Sequence, residues 1–260
     1  MRTIVVIPTY NECENLRPLI TQLLALNDGL DVLVVDDNSP DGTGRLADAL
    51  AATSPRVHAL HRSGKQGLAS AYVAGFSFAL AHGYDRVVEM DADFSHRPED
   101  LPRLLAATEQ ADVAIGSRNI CGGQAVNWSP LRHLVSKGGS AFARAALGLP
   151  IKDCTSGFKV FRRDALERLD LSAVCTHGYG FQVELNHACY RAGLHLAEVP
   201  IVFPDRTRGR SKMSWRIVVE AALLVTRLSL RCLWGRLLHF STGVRRAQVD
   251  RLPASGGTSA

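Results

Sequence analysis

Two carboxylates stand two positions apart in Met90-Asp91-Ala92-Asp93, directly after Arg86-Val87-Val88-Glu89 and before Phe94-Ser95-His96-Arg97-Pro98. The short, mostly apolar run reads as a buried strand whose carboxyl end presents Asp91 and Asp93. In an open α/β sheet, ligands sit in the crevice beyond such strand ends. Paired carboxylates there can hold a hard divalent cation against a diphosphate. Taken alone, Asp-x-Asp is more often an acidic loop or a helix N-cap before Pro98, so the rest of the chain has to carry the argument.

The elements that must position this pair repeat along the chain. Strand Thr3 to Ile7 ends at Pro8-Thr9-Tyr10-Asn11-Glu12, with Asn11 as the expected N-cap of a helix that carries Leu16, Leu19, Ile20, Leu23 and Leu24. Strand Asp31 to Val35 ends in Asp36-Asp37-Asn38-Ser39-Pro40-Asp41-Gly42-Thr43, before a helix around Leu46, Ala49 and Leu50. Strand Val57 to His61 leads into Arg62-Ser63-Gly64-Lys65-Gln66-Gly67 and a helix running to His82. With the strand ending at Asp91 and another at Val113 to Gly116, strand, polar loop and helix recur as in a doubly wound, mostly parallel sheet.

Further on, Ser129-Pro130 opens a helix through Phe142, and a turn and strand occupy Asp153 to Arg162. Gly178 to Glu184 enters another helix, Leu196 to Phe203 is a further strand, and Asp205 to Lys212 is a basic loop. The first turn lacks the G-x-G-x-x-G of a dinucleotide fold, which disfavours a nicotinamide cofactor. Asp36 or Asp37 can instead accept from a base or ribose, and Lys65 can meet phosphate.

Composition fits one sizeable core: 260 residues, 46% hydrophobic and 21% charged. Net charge is +5, from 30 Lys and Arg against 25 Asp and Glu, with the excess in the C-terminal third, which points to an anionic partner. Six cysteines show no C-x-x-C pair and read as small core residues of a reducing compartment, without disulfides. The apolar N-terminal run is too short for a signal peptide, and no window reaches the ~18 apolar residues of a spanning helix.

Several separated motifs together resemble a family 2 (GT-A fold) glycosyltransferase. They are Val-Ile-Pro-Thr-Tyr-Asn-Glu at 6–12, Val-Val-Asp-Asp-Asn-Ser-Pro-Asp-Gly-Thr at 34–43 and Gly-Leu-Ala-Ser-Ala at 67–71. Met-Asp-Ala-Asp-Phe-Ser-His at 90–96 resembles the dolichol- and polyprenyl-phosphate mannosyltransferase branch. Thr-Ser-Gly-Phe-Lys at 155–159, Gly-Tyr-Gly-Phe-Gln-Val-Glu at 178–184 and Arg206 through Ser211-Lys212 strengthen that likeness. It covers about residues 3–215 and is closest to the form without appended transmembrane segments.

The resemblance implies a GDP-mannose donor, a polyprenyl monophosphate acceptor and inversion to a β-mannosyl phosphoryl polyprenol. By position, Pro8, Tyr10, Glu12, Asp37, Lys65 and Ala92 would line the donor, and Asp91 and Asp93 would hold Mg²⁺ or Mn²⁺. Some relatives carry Gln two residues after the second Asp; here it is Ser95, an uncertain third ligand. A phosphate monoester has a second pKa of ~6, so the acceptor arrives ionised near pH 7 and requires no general base. A hydroxyl acceptor would need one, for which Asp153 or Glu184 could be proposed. An anionic acceptor needs cations, which Arg118, Arg132, Arg206 and Lys212 could supply. Arg118 is counted with the catalytic carboxylates.

Rival readings are a polyprenyl-phosphate transferase using another sugar nucleotide such as UDP-glucose, a nucleotide-sugar scaffold, and a nucleic-acid-binding module. The last is disfavoured because no helix-turn-helix, zinc or aromatic strand pattern accompanies the charge. Domain boundaries are expected at 1–212 for the catalytic unit, 213–240 for an amphipathic helix and 241–260 for a disordered tail. The helix has a narrow polar stripe of Arg216, Glu220, Arg227 and Arg231, with Trp215 and Trp234 among its apolar residues. It is expected to lie on the membrane surface, giving peripheral association on the cytoplasmic face.

Overall fold

The computed structural model describes residues 1–173, 180–205, 223 and 225–230. Its main sheet has seven strands in the order β3-β2-β1-β4-β7-β5-β8. These are β1 (Thr3–Thr9), β2 (Leu30–Asp36), β3 (Val57–His61), β4 (Arg86–Glu89), β5 (Val113–Ser117), β7 (Lys159–Arg162) and β8 (Leu196–Pro200). The short strands β6 (Gln124–Val126) and β9 (Val202–Pro204) form a second, parallel pair. The helices are α1 (Cys13–Leu26), α2 (Thr43–Thr53), α3 (Leu68–Ala81), α4 (Leu101–Ala107), α5 (Pro130–Leu147), α6 (Arg163–Glu167) and α7 (Gly180–Arg191). Among the described residues no helix is long and apolar enough to cross a membrane.

The strands are apolar because both faces are covered. Val5, Ile7, Val32, Val34 and Val88 pack under α1, α2 and α4; Ile4, Val6, Leu33, Val35 and Val87 pack under α3, with α5, α6 and α7 extending that layer. In α1 the buried Leu16, Leu19, Ile20 and Leu23 recur at helical spacing. Gly75 lets α3 lie close on β1: a Cβ there would sit 2.2 Å from Val6 Cγ1. That approach carries Tyr72, one turn earlier in α3, over the end of β4.

Register sets the working edge. Pro8 of β1 faces Val35 of β2, and Val6 faces Glu89 of β4, all parallel. The turns after β1, β2 and β4 therefore open on one side. The parallel pattern is broken by β7, which runs antiparallel between β4 and β5 and sets Lys159 opposite Glu89.

Local boundaries differ from the sequence expectation in two places. Asn11 does not cap α1; it adopts a left-handed conformation (φ 61°), and Glu12 occupies the cap position without a capping hydrogen bond from its side chain to the helix backbone. The run Leu196 to Phe203 is two strands, because the chain leaves the main sheet at the buried Ile201 and pairs with the Gly-rich segment after Arg118.

Candidate functional site

The carboxylates at the end of β4 are set in a dense polar lattice. Asp91 Oδ1 accepts from the Tyr72 hydroxyl at 2.9 Å, and the Asp91 backbone N–H donates to His96 Nδ1 at 3.0 Å. His96 is fully buried and stacked on Phe158, centroids 5.0 Å apart. Burial holds its imidazole below the usual pKa, and Nδ1 acts as acceptor. Burial first, then the Asp91 charge, raises the Tyr72 phenol well above its ordinary value, so it remains a donor.

Asp93 is buried, and its Oδ1 accepts from the Ser95 hydroxyl at 2.6 Å and the Ser95 backbone N–H at 3.0 Å. The Ser95 hydroxyl is thus directed at the carboxylate, where it orients Asp93. Ala92 turns into the apolar layer beneath α1 and α4.

Behind this pair lies a sealed network. Glu89 and Lys159 are both fully buried, with Lys159 Nζ 3.4 Å from Glu89 Oε2 and donating to the Ser156 carbonyl at 2.7 Å. Gln182 of α7 bonds both partners. Burial pushes the Glu89 carboxyl up to about 7 despite the neighbouring ammonium. The donor set facing the opening is all oxygen and anionic, which suits a hard divalent cation that shares its shell with substrate phosphates. No group of three or more His, Cys, Asp or Glu side chains among the described residues forms an all-protein metal cage.

A second cluster centres on Trp128, between β6 and α5. The Arg132 guanidinium lies over its ring at 4.1 Å and the Arg118 guanidinium at 5.3 Å. Arg118 also covers Phe203 at 4.9 Å, and Phe203 meets His96 edge-on at 5.5 Å. A continuous path of contacts thus joins Asp91, His96, Phe203 and Arg118 to Trp128 and Arg132.

The two arginines are held differently. Arg118 forms a fork with Asp153, Nε to Oδ2 at 2.8 Å and an Nη to Oδ1 at 2.7 Å, and donates to Thr155 at 2.8 Å. Asp153 is fully buried. Burial drives its carboxyl upward, but the Arg118 charge and hydrogen bonds outweigh this and leave its pKa below the usual range. Asp153 is therefore tied up and out of reach as a base. Arg132 pairs with the half-exposed Asp205 at 2.6 Å. Among the described residues, Trp128 Nε1 and Arg132 Nε are buried without a hydrogen-bond partner.

At the turns after β1 to β3, Lys65 lies over the Tyr10 ring at 4.1 Å, and the Asn15 amide donates to Glu12 at 2.8 Å. Pro8 sits at the end of β1. Asp37 is buried against Arg62 at 2.9 Å and accepts from the backbone N–H groups of Gln66 and Gly67. Asp36 accepts from Thr9 and Ser39. Both acids thus brace the loops that form the opening, and Arg62, not singled out from sequence, is the counter-ion that a buried strand-end carboxylate requires.

Glu184 is half-buried in α7. Arg206, Lys212 and the expected tail lie outside the described residues, as does most of the expected amphipathic helix. Of that helix, Val225 and Leu228 pack into the core, Ser229 donates to the Ala146 carbonyl of α5 at 3.0 Å, and Leu223 and Leu230 are exposed. Tyr72, Trp128 and Phe203 are contributors that the sequence motifs did not isolate, and Gln182 lies within the motif at 178–184 without a role assigned to it there.

Comparison with known proteins agrees with this geometry. The family profile described as Glycosyl transferase family 2 matches residues 4–170. An undecaprenyl-phosphate mannosyltransferase of Micrococcus luteus is 50% identical over 237 residues, 91% of this chain and 98% of that protein. A polyprenol monophosphomannose synthase of Mycolicibacterium smegmatis is 48% identical over 238 residues, 91% and 89% respectively. A dolichol-phosphate mannosyltransferase of Pyrococcus furiosus is 37% identical, and the match spans 88% of this chain and 64% of that protein. Among solved structures, a Mycobacterium tuberculosis glucosyl-3-phosphoglycerate synthase in complex with Mn²⁺, UDP-glucose and phosphoglyceric acid superposes with a TM-score of 0.63 at 19% identity. It covers 88% of this chain and 79% of that one, a likeness of fold.

Proposed function

This chain belongs to glycosyl transferase family 2, and from that footing we propose that it transfers mannose from GDP-mannose, with inversion, to a polyprenyl monophosphate. The observation that carries the acceptor assignment is the Trp128 cluster, where two buried N–H donors, Trp128 Nε1 and Arg132 Nε, find no acceptor among the described residues, and the Arg118 and Arg132 guanidinium groups lie over the Trp128 ring. Buried donors without partners are rare, and an anionic acceptor would satisfy both. Arg132 would exchange the half-exposed Asp205 for the acceptor phosphate, while Arg118 stays on the sealed Asp153 and braces the aromatic floor. Arg206 and Lys212, given to the acceptor by the family resemblance, would add positive charge for its phosphate.

On the donor side, Asp91 and Asp93 would hold Mg²⁺ or Mn²⁺ against the diphosphate, with Pro8, Tyr10, Glu12, Asp37 and Lys65 around the nucleoside. When bound, the cation neutralises the charge developing on the departing nucleoside diphosphate. The protein's own share is positioning. Tyr72 and Ser95 hold the carboxylates, His96 holds the Asp91 backbone N–H, and the arginines aim an acceptor oxygen that is already ionised.

The lipid acceptor calls for a surface that meets the bilayer. Leu131 and Leu134 of α5 are each 70% exposed and Phe142 is 45% exposed. At ~100° per residue they share a sector with Gly138, Ala141 and Ala145, opposite the buried Ser140, Ala143 and Leu147. Lys137 and Arg144 lie together along one edge of the stripe. Because Arg132 belongs to the same helix, this face would rest on an anionic membrane with the acceptor phosphate beside it. The surface assigned by sequence to the C-terminal helix would then be shared with α5.

The test is incubation of the protein with labelled GDP-mannose, Mg²⁺ and polyprenyl phosphate in vesicles, scored by label in the organic extract. Label transferred from UDP-glucose in preference to GDP-mannose would replace this reading with the rival donor.

A further inference from the structure

Asp91 has two carboxylate oxygens, and the fold has assigned one of them inward. The Tyr72 hydroxyl reaches Oδ1 at 2.9 Å from a ring that is fully buried. That ring is stacked on Phe76, centroids 6.0 Å apart, and on Phe181 of α7 at 5.9 Å and an interplanar angle of 3°. Held by both rings, the phenol cannot swing away from the carboxylate. On the backbone side, the Asp91 N–H is held by His96. No hydrogen bond from a described residue reaches Oδ2.

We infer that Tyr72 is a positioning residue for the cation: its hydroxyl fixes the Asp91 carboxylate so that Oδ2 alone faces the ligand, and Phe181 makes α7 part of that clamp. The inference rests on the proposed function only in taking Asp91 as a ligand of the divalent ion. A carboxylate locked in one rotamer loses less freedom on binding, and hydrogen bonds from outside the ligand shell set ligand orientation. Their loss typically weakens metal affinity about 10–100-fold. Gln182, next to Phe181, bonds Glu89, two residues before Asp91, so the first turn of α7 braces this strand end at two points.

The test measures Mn²⁺ binding by electron paramagnetic resonance in the presence of GDP, independently of transfer, for wild type, Tyr72→Phe, Asp91→Asn and the double variant. Tyr72→Phe is expected to weaken Mn²⁺ binding about tenfold or more. It should also raise the Mn²⁺ concentration for half-maximal transfer, with the rate recovering at saturating Mn²⁺. In the Asp91→Asn background the same change should have no further effect, because the hydroxyl acts through Asp91.

A folded Tyr72→Phe protein whose Mn²⁺ affinity lies within about twofold of wild type, against the ~10-fold expected, overturns the inference. So does an equal loss in both backgrounds. Unchanged binding in Asp91→Asn alone would overturn the assignment of Asp91 as ligand, and the inference with it. Should Tyr72→Phe fail to fold, Phe181→Leu keeps the hydroxyl but loosens the clamp. Weakened Mn²⁺ binding there supports the inference, and unchanged binding refutes it.

Discussion

Asp153→Ala separates the two roles a carboxylate near Arg118 can have. The side chain is fully buried and makes a fork with Arg118, itself 8% exposed. Removing one partner of a buried pair leaves an uncompensated charge, at a cost of about 3–5 kcal/mol. For a protein of this size, each kcal/mol moves Tm by about 2–4 °C, so Tm should fall by about 6–20 °C. Thermal and urea denaturation read this directly.

The pH dependence has a defined sign. The folded-state pKa of Asp153 lies below its ordinary value, so its stabilisation is present above the unfolded value of ~3.9 and is lost as pH falls through the folded one. The variant should therefore show a shallower acid limb. Arg118→Met with Asp153→Leu should recover much of the lost stability, since an apolar pair can replace a buried ion pair. Transfer should stay impaired in that double variant. The reasoning is refuted if Asp153→Ala melts within about 2 °C of wild type, under 1 kcal/mol by the same scale, yet loses transfer a hundredfold or more. Asp153 would then be acting on substrate as a base.

Asp91→Ala or Asp93→Ala should lower transfer at least ~100-fold in a protein that still folds, with a stability loss of about 1–3 kcal/mol from the Tyr72 or Ser95 donors left unpaired, and EDTA should stop the wild-type reaction. Near-normal turnover in either variant would remove the cation from the mechanism. Arg132→Ala should raise KM for the lipid phosphate about 10–100-fold, equivalent to the ~1.5–3 kcal/mol of a charged hydrogen bond, with KM for GDP-mannose little changed. A loss confined to the donor would reassign Arg132. Leu131→Asp with Leu134→Asp should cut sedimentation with anionic vesicles at least ~10-fold, since each leucine contributes about 1.5–3 kcal/mol when buried. Undiminished pelleting would assign the membrane contact to another surface.

The repeating architecture was legible because each strand is a short apolar run ending in polar turn residues, a pattern that follows from burial on both faces. Asp91 and Asp93 were legible because two acids close such a run. What escaped were contacts formed between distant segments. Tyr72 follows the motif at 67–71 by one residue, but nothing local says that Gly75 brings α3 onto β1 and thereby its hydroxyl onto Asp91. The antiparallel insertion of β7 was equally silent, because Lys159 opposite Glu89 is a register fact, set 70 positions apart. Ala92 enters the donor set only by its position in the resemblance, which says nothing of where its side chain packs. In the fold its side chain joins the apolar cluster of Val88, Met90 and Leu101.

The division of labour between the two arginines follows from their partners. A family 2 enzyme acting on a hydroxyl acceptor needs a free carboxylate to remove a proton, and Asp153 would be the natural candidate if it were open to substrate. It is instead sealed against Arg118, consistent with an acceptor that is already an anion. The demand then shifts from taking a proton to offsetting charge, and a cation serves that only if it can be released to the substrate. Arg118 cannot be released without leaving Asp153 as a buried, unpaired carboxylate, whereas Asp205, at 41% exposure, can turn to water when Arg132 leaves it. The acceptor phosphate should therefore compete with Asp205 and not with Asp153, and Asp205→Asn should lower KM for the lipid phosphate while Asp153→Asn destabilises the fold. If Asp205→Asn instead leaves KM unchanged or raises it, Asp205 is not a competitor and the exchange on Arg132 does not occur.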